Sequence, residues 1–204
     1  MSRQDQTRAG LLLVVIAVLI WSGINPRDRF TWFLEVLPVI VGVGLLIATY
    51  CRFPFTPIIY YLVAVHAVIL MVGGHYTYAE VPLGFWMRDL FHFTRNHYDR
   101  IGHFVQGFVP ALIAREMLLR TSPLRRGKWL TGIVISICLA ISALYELTEW
   151  WVAEATGEAA QAFLGTQGDP WDTQWDMFMA LIGAISSLLL LSRWHDRQIA
   201  RMGL

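Results

Sequence analysis

Apolar stretches alternate with polar segments along the whole chain. The apolar stretches cover approximately residues 9–24, 32–50, 57–73, 100–119, 129–152 and 174–192. Each is close to the ~20 residues that an α-helix needs to cross the hydrocarbon core of a bilayer. The pattern therefore predicts an all-α bundle of about six transmembrane helices, with both termini on one side. Because no cleavage site of small residues follows the first stretch, we expect a retained helix rather than a signal peptide.

Two connections are longer than a helical bundle requires, residues 74–99 and 153–171. Both fall on the same face of the predicted bundle, and long loops on one face often carry function. The first connection is rich in aromatic residues, and we expect part of it, from Trp86 to Phe93, to lie in the membrane interface as a short amphipathic helix. Since no repeat or change of composition divides the chain, residues 1–204 are predicted to form a single transmembrane domain.

Composition supports lipid as the solvent and removes one class of partner. Apolar residues make up 56% of the chain and charged residues 15%, and both values depart from soluble averages in the same direction. Nine tryptophans agree with this, because indole rings favour the headgroup region. A net charge of +1, without a basic tract, indicates no nucleic-acid partner. Membrane lipids are the expected surroundings.

The distribution of Lys and Arg predicts the orientation, because short cytoplasmic loops carry the excess. With the N-terminus inside, the cytoplasmic segments hold eleven: Arg3, Arg8, Arg52, Arg115, Arg120, Arg125, Arg126, Lys128, Arg193, Arg197 and Arg201. The outer segments hold five: Arg27, Arg29, Arg88, Arg95 and Arg100. We therefore predict a multi-pass protein of the bacterial inner membrane with its N- and C-termini in the cytoplasm.

Acidic and histidine side chains recur at helical spacing near the predicted outer ends of the helices. The pairs are Asp99/His103, Glu146/Glu149 and Asp172/Asp176. Residues three or four apart share one face of a helix, so each pair points in one direction. The second helix adds Glu35 and the third ends at His75 on the same side. Several helices thus deliver carboxylates or imidazoles to one leaflet.

Buried carboxylates in a bilayer need partners, and a shared cation would provide them. Helical bundles hold metals with such pairs, and mixed oxygen and nitrogen ligands suit zinc, manganese or iron. The predicted ligands of a divalent metal are His75, Asp99, His103, Glu149 and Asp176. The predicted catalytic bases are Glu146 and Asp172. Without a metal, the same groups could serve as a general acid and base.

Several of these polar residues also have a structural interpretation. Asp169 before Pro170 is typical of a helix N-cap followed by proline at the first helical position, and Asp172 then lies in the acidic first turn. Asp176 lies one turn deeper, where capping cannot explain it. His66, among apolar residues in the middle of the third helix, is better interpreted as an interior, hydrogen-bonded histidine than as a ligand.

Four short motifs carry a resemblance to a known family. They are residues 74–78 (GHYTY), residues 96–100 (NHYDR) with His103, Tyr145-Glu146 with Glu149-Trp150-Trp151, and residues 165–172 (GTQGDPWD) with Asp176. In this order they resemble the YjdF family, bacterial multi-pass inner-membrane proteins with a domain of unknown function. The resemblance covers nearly the whole chain and implies a polytopic inner-membrane protein, but it implies no activity.

Three hypotheses for the function follow. The first is a metal-dependent, hydrolase-like enzyme that acts on a lipid or another apolar substrate at the extracytoplasmic leaflet. The second is a proton- or cation-coupled transporter whose carboxylates form an ion site. The third is a structural or assembly subunit in which buried charge pairs only hold the helices together. The substrate, the identity of the metal and the oligomeric state stay open at this point.

Overall fold

In the computed structural model of the chain, residues 3–157 and 161–203 are described; they form helices and loops, with no β-strand in these ranges. The helices are α1 (Arg3–Gly23), α2 (Arg29–Thr49), α3 (Pro57–Tyr76), α4 (Pro82–Phe91), α5 (Tyr98–Thr121), α6 (Lys128–Thr156), α7 (Gln161–Leu164) and α8 (Asp172–Arg201). A 3-10 turn at Tyr78–Glu80 lies between α3 and α4. The predicted all-α class is therefore confirmed for the described residues.

Five of the described helices are long and apolar enough to cross a membrane, namely α1, α2, α3, α6 and α8. The remaining predicted span, α5, falls short because His103, Gln106, Arg115 and Glu116 interrupt its apolar sequence. α5 nevertheless packs against α3, α6 and α8, and most of these polar residues are buried there. The most polar of the long helices thus lies inside the bundle, where its polar groups find partners.

The outer surface of the bundle is apolar over most helices. Large exposed side chains include Leu13, Leu45, Val65, Trp129, Leu144, Leu189 and Leu190. Soluble monomers rarely expose continuous apolar patches of this extent. A surface of this kind fits contact with lipid tails, which are as apolar as leucine.

α6 and α8 extend beyond the stretches predicted from hydropathy. α8 has 30 residues, where the apolar pattern covered 174–192. At about 1.5 Å per residue this helix is about 45 Å long, which exceeds the ~30 Å hydrocarbon core. Hydropathy alone therefore underestimates the length of this helix, because its two ends are polar.

Two glycines allow α5 and α8 to approach closely. A Cβ atom at Gly107 would lie 1.8 Å from the carbonyl oxygen of Ala180, and one at Gly183 would lie 2.0 Å from that of Phe104. No side chain larger than hydrogen fits at such distances. Small residues at helix interfaces are a common means of close packing in membranes. This contact fixes α8 against α5 and thereby positions the polar residues of both helices.

α4 confirms the expectation of a helix within the first long connection, although it begins earlier, at Pro82. Leu83, Trp86 and Leu90 are exposed on it and share one face by their spacing. The helix ends at His92, which adopts the left-handed conformation, and Phe93 donates its backbone N–H to the carbonyl of Arg88. An exposed apolar face on a short helix is typical of segments that lie in the membrane interface.

A buried polar network, here called the Glu116 network, joins α5 and α8 at one end of the bundle. Glu116 and His195 are both fully buried, and Nε2 of His195 lies 2.8 Å from Oε2 of Glu116. Arg120 donates to Oε1 of Glu116 at 2.7 Å, and Thr56 donates to Oε2 at 2.7 Å. Arg115 bonds to Asp196 at 2.8 Å. This network fastens the α2–α3 loop to α5 and α8, and the sequence patterns did not predict His195 in it.

Candidate metal centre

The second polar cluster lies at the opposite end of α5, where α5 and α8 begin and α6 ends. Asn96 positions the start of α5, because its Oδ1 accepts the N–H of Tyr98 at 3.0 Å and its Nδ2 donates to the carbonyl of Val81 at 3.0 Å. The backbone of Asn96 also exchanges two hydrogen bonds with the side-chain amide of Gln167, at 3.1 and 2.9 Å. These bonds hold the loops before α5 and before α8 together.

We define the acidic cluster as the carboxyl groups that collect at this end. They are Glu35, Asp99, Glu146, Glu149, Asp169, Asp172 and Asp176. They come from α2, α5, α6, the loop before α8 and α8 itself. The sequence predicted that these helix ends would meet, and the structure brings them together.

Two arginines neutralise the part of the acidic cluster that belongs to α8. Arg100 contacts Oδ1 of Asp172 at 2.6 Å, Oδ2 of Asp169 at 3.3 Å, and Oδ1 of Asp176. Arg95 contacts Asp172 at 2.8 Å and Asp169 at 3.3 Å, and it also donates to the carbonyl of Thr166 at 3.0 Å. Three α8-side carboxylates thus share two guanidinium groups, which satisfies much of their charge.

His103 lies at the centre of the remaining acidic groups. Its Nε2 is 3.4 Å from Oδ1 of Asp99 and 3.7 Å from Oδ1 of Asp176, and its Nδ1 is 3.7 Å from Oε1 of Glu146. Nδ1 also lies 2.9 Å from Oε1 of Gln106. When Nδ1 carries the proton and donates a hydrogen bond to this oxygen, the lone pair of Nε2 is directed toward Asp99 and Asp176.

Two groups of side chains in the described residues have the geometry to hold a metal ion. Asp99, His103 and Asp176 form one, and His103, Glu146 and Glu149 form the other. Within each group the potential ligand atoms lie within 4.8 Å of one another. His103 belongs to both groups, so a cation at this end would contact its imidazole in either position.

A cavity of about 220 Å³, lined by titratable and apolar side chains together, adjoins His103 on the α2 and α3 side. Glu35, Tyr145 and Glu149 line it, and the hydroxyl of Tyr145 donates to Oε2 of Glu35 at 3.0 Å. Tyr78 closes another wall, and burial raises its pKa well above the usual range, so its phenol stays protonated. We call this space the acidic cavity.

The acidic cluster has more carboxyl groups than neighbouring cations. The cations in contact with it are Arg95, Arg100 and, when protonated, His103. Oε1 of Glu146 is buried and has no hydrogen-bond partner. A buried, uncompensated carboxylate is costly, so the excess calls for protons or a bound cation.

Most residues of the predicted site reach the cluster, but His75 does not. Its Nδ1 lies 2.9 Å from the carbonyl of Ser22, and its ring stacks on Trp21 with centroids 4.5 Å apart. It is absent from both groups of potential ligands in the described chain. The expectation that His75 joins the metal ligands is therefore not supported, because the last turn of α3 directs His75 toward α1.

The structure also refines three other predictions. Asp172 lies in the cluster, but two arginines hold it, so it is poorly suited to act as a base. Asp169 accepts the N–H of Trp171 at 2.9 Å, which is a turn just before α8 in addition to its ion pairs. His66 lines the acidic cavity, and its buried Nε2 has no hydrogen-bond partner, unlike the bonded interior histidine that we expected.

Sequence patterns missed the arginines that organise the cluster. The distribution of Lys and Arg assigns Arg95 and Arg100 to the outer side, but it does not predict their acidic partners. A usable signal was present, because two arginines among acidic residues at one membrane face must find partners. His97 beside them is also outside the ligand groups; burial, and then the charges of Arg95 and Arg100, lower its pKa.

Comparison with known proteins gives the chain a family. A family model described as "Predicted membrane protein (DUF2238)" matches residues 7–197. The chain belongs to the DUF2238 family. It is also 53% identical over 192 residues to the inner membrane protein YjdF of Escherichia coli (strain K12). This alignment covers 94% of the chain and 92% of the E. coli protein. No solved structure matches it.

Membership of DUF2238 confirms the resemblance that the four motifs indicated. The matched range runs from α1 to Arg197 in α8, so it includes the acidic cluster as well as the Glu116 network. The family is one of predicted membrane proteins, in agreement with the apolar helices and the lipid-like surface of the bundle.

Proposed function

We propose that the acidic cluster binds a divalent metal ion and that the protein uses this site to hydrolyse a lipid or another apolar substrate. The observation that carries the proposal is the excess of buried carboxyl groups around His103, next to a cavity large enough to admit part of a ligand. A divalent cation would neutralise this excess, and its preferred ligands are the oxygen and imidazole donors found here.

Each residue of the proposed site has a separate role in this function. Asp99, His103 and Asp176 would hold the ion, while Gln106 fixes the imidazole through its contact with Nδ1. A bound divalent ion would supply Lewis acidity and lower the pKa of a nearby water. Glu146, whose buried Oε1 has no hydrogen-bond partner, would accept a proton from that water as the general base.

The proposed setting is the inner membrane, as the name of the E. coli relative suggests. In this arrangement α5 forms a sixth span and both termini face the cytoplasm. The acidic cluster then faces the extracytoplasmic side, and the Glu116 network faces the cytoplasm with the arginine-rich α5–α6 loop. Zinc, manganese and iron all suit the ligands.

The test is the metal content of purified protein, measured by plasma mass spectrometry after loading with zinc, manganese or iron and removal of free ion. We expect about one ion per chain in the wild type and at least tenfold less in His103→Ala, since an imidazole ligand is lost. His75→Ala is the matched control, because His75 lies outside both ligand groups. A wild type that binds none of the three ions, or a His103→Ala variant that binds as much as wild type, would refute the proposal.

A coupled transporter is the second candidate, and the free Nε2 of His66 favours it. This group lies in the middle of α3 and lines the acidic cavity, so it extends the titratable groups toward the centre of the bundle. Protons instead of a metal would then neutralise the excess carboxylates. Proton or cation flux in reconstituted vesicles that disappears in Glu149→Gln, from a protein that binds no metal, would favour this function over hydrolysis.

A further inference from the structure

A second cavity, which we call the apolar groove, runs between α2, α3 and α5. It has a volume of about 470 Å³ and is lined mainly by aliphatic and aromatic side chains, such as Leu46, Phe53, Val63 and Ile113. Volumes of this size are typical of ligand sites. Leu45 and Met117 at its edge are exposed on the surface of the bundle, so the groove opens sideways to the lipid.

The apolar groove and the acidic cavity are adjacent. Pro38, His66 and Leu70 line both of them, so these three side chains form a shared wall. His66 is the polar residue of that wall, and its buried Nε2 is free to bond to a ligand. A molecule that lies across this wall would have an apolar part on one side and a polar part on the other.

We propose that the substrate is a membrane amphiphile: one of its hydrocarbon chains lies in the apolar groove, and its polar group reaches past His66 into the acidic cavity. This inference rests on the proposed function and names its substrate class. The two lined spaces match the two halves of such a molecule: aliphatic walls for the chain, and Tyr145, Glu149 and His103 for hydrogen bonds to the polar group.

The length of the groove agrees with a lipid chain. Along α5 it extends from Val109 to Thr121, which corresponds to about 18 Å at about 1.5 Å per residue. A hydrocarbon chain of this length lies within the ~30 Å hydrocarbon core. With its polar group in the acidic cavity, the chain runs from the wall at His66 toward the end of α5 that carries the Glu116 network.

Gly42 provides a way to fill the groove without disturbing the helices around it. It lines the groove, and a Cβ atom added there would meet no heavy atom within 4 Å. Gly44 lies two residues further along α2, has equally open surroundings, and does not line the groove. Gly42→Leu and Gly44→Leu thus add the same side chain to the same helix, and only Gly42→Leu occupies the groove.

The experiment uses the full-length protein in vesicles of phosphatidylethanolamine and phosphatidylglycerol. The probe is phosphatidylethanolamine with a diazirine near the end of one acyl chain, activated by light and mapped by peptide mass spectrometry. We expect adducts on the α5 peptide that contains Ile113 and Met117 in wild type and Gly44→Leu, and about tenfold fewer in Gly42→Leu. Labelling of Leu189 and Leu190, which are exposed on α8, should be equal in all three and reports general lipid contact.

Metal content measured on the same samples separates this inference from the proposed function. Equal α5 labelling in all three proteins, or α5 labelling no stronger than that of Leu189 and Leu190, would overturn the inference. If the same samples contain bound metal, the hydrolase proposal is still supported. A different result would overturn the proposed function instead. If Gly42→Leu removes the α5 labelling but the wild type binds no metal, the groove is a lipid site and the hydrolase proposal is wrong.

Discussion

At the scale of single residues, Arg100 is the cation with the most contacts to the acidic cluster among the described residues. It lies against Asp99, Asp169, Asp172 and Asp176, and its side chain is only 9% exposed. Such a guanidinium is held by its partners and in turn holds them, because each buried carboxylate needs a counter-charge.

Replacing Arg100 by glutamine should therefore destabilise the protein strongly. The substitution leaves Asp172 and Asp176 with a buried charge and fewer partners, and breaking a buried pair from one side costs roughly 3–5 kcal/mol. Thermal unfolding in detergent, followed by circular dichroism, measures the effect as a lower unfolding temperature. Arg88→Gln is the control, because Arg88 pairs with Asp89 on the surface and should leave the temperature nearly unchanged. Equal stability of the two variants would show that Arg100 does not organise the cluster.

The same residue shows what sequence can and cannot predict at this scale. The i, i+4 spacing of Asp99 and His103 predicted their contact, since helix geometry alone places them together. The partners of Arg100 in and before α8 lie 69 to 76 positions away in sequence, so these contacts depend on how α5 and α8 pack. His75 lies apart from the cluster for a similar reason: periodicity predicts where α3 ends but not the direction in which the side chains of its last turn point.

At the scale of helices, the close contact between α5 and α8 depends on two glycines, which have only a hydrogen atom as a side chain. Gly107 and Gly183 lie where even a methyl group would overlap a backbone carbonyl of the facing helix. A backbone cannot yield as a flexible side chain does, so the helices themselves would have to separate. Separation of α5 from α8 would disturb both the acidic cluster and the Glu116 network, because each network spans these two helices.

Gly107→Ala should therefore prevent normal folding, although alanine favours helix formation. We expect most of the variant to be lost or aggregated during purification in detergent, as size-exclusion chromatography would reveal. Gly132→Ala is the matched control: Gly132 is exposed on α6, and a Cβ atom there meets nothing within 4 Å. It should elute like wild type and unfold at the same or a slightly higher temperature, since alanine is a better helix former. A well-folded Gly107→Ala protein would contradict the close approach of the two helices.

Hydropathy predicted the existence of the long helices better than their ends. It located α1, α2, α3, α6 and α8 because lipid-facing helices need long apolar runs. It underestimated α6 and α8, because both helices continue into polar sequence beyond their apolar runs. α4 was expected from its aromatic residues, and its start at Pro82 follows from the preference of proline for the first helical turn.

At the scale of the whole molecule, two polar networks lie at opposite ends of α5 and α8. The acidic cluster combines its carboxylates with Arg95 and Arg100, whereas the Glu116 network combines Glu116 and Asp196 with Arg115, Arg120 and Arg126. The balance of charge thus differs between the two ends. Lys and Arg concentrate on the cytoplasmic side of membrane proteins, so this difference predicts the orientation.

Cysteine labelling tests that orientation directly. Cys51 is exposed at the loop after α2, at the end of the Glu116 network, and Cys138 is buried in α6. In a Cys138→Ser background, Cys51 serves as the reporter for one end. Thr166→Cys, combined with Cys51→Ser and Cys138→Ser, places a reporter in the exposed loop before α8, at the acidic end.

A maleimide that cannot cross membranes should label position 166 in right-side-out vesicles and Cys51 in inverted ones. Both proteins should react fully after denaturation, which controls for thiol oxidation. If both positions react in the same type of vesicle, α5 does not act as a span between them and the six-span arrangement is wrong. If each reacts from the opposite side, the protein is inverted, and a hydrolase at the acidic cluster would then work on the cytoplasmic leaflet rather than the outer one.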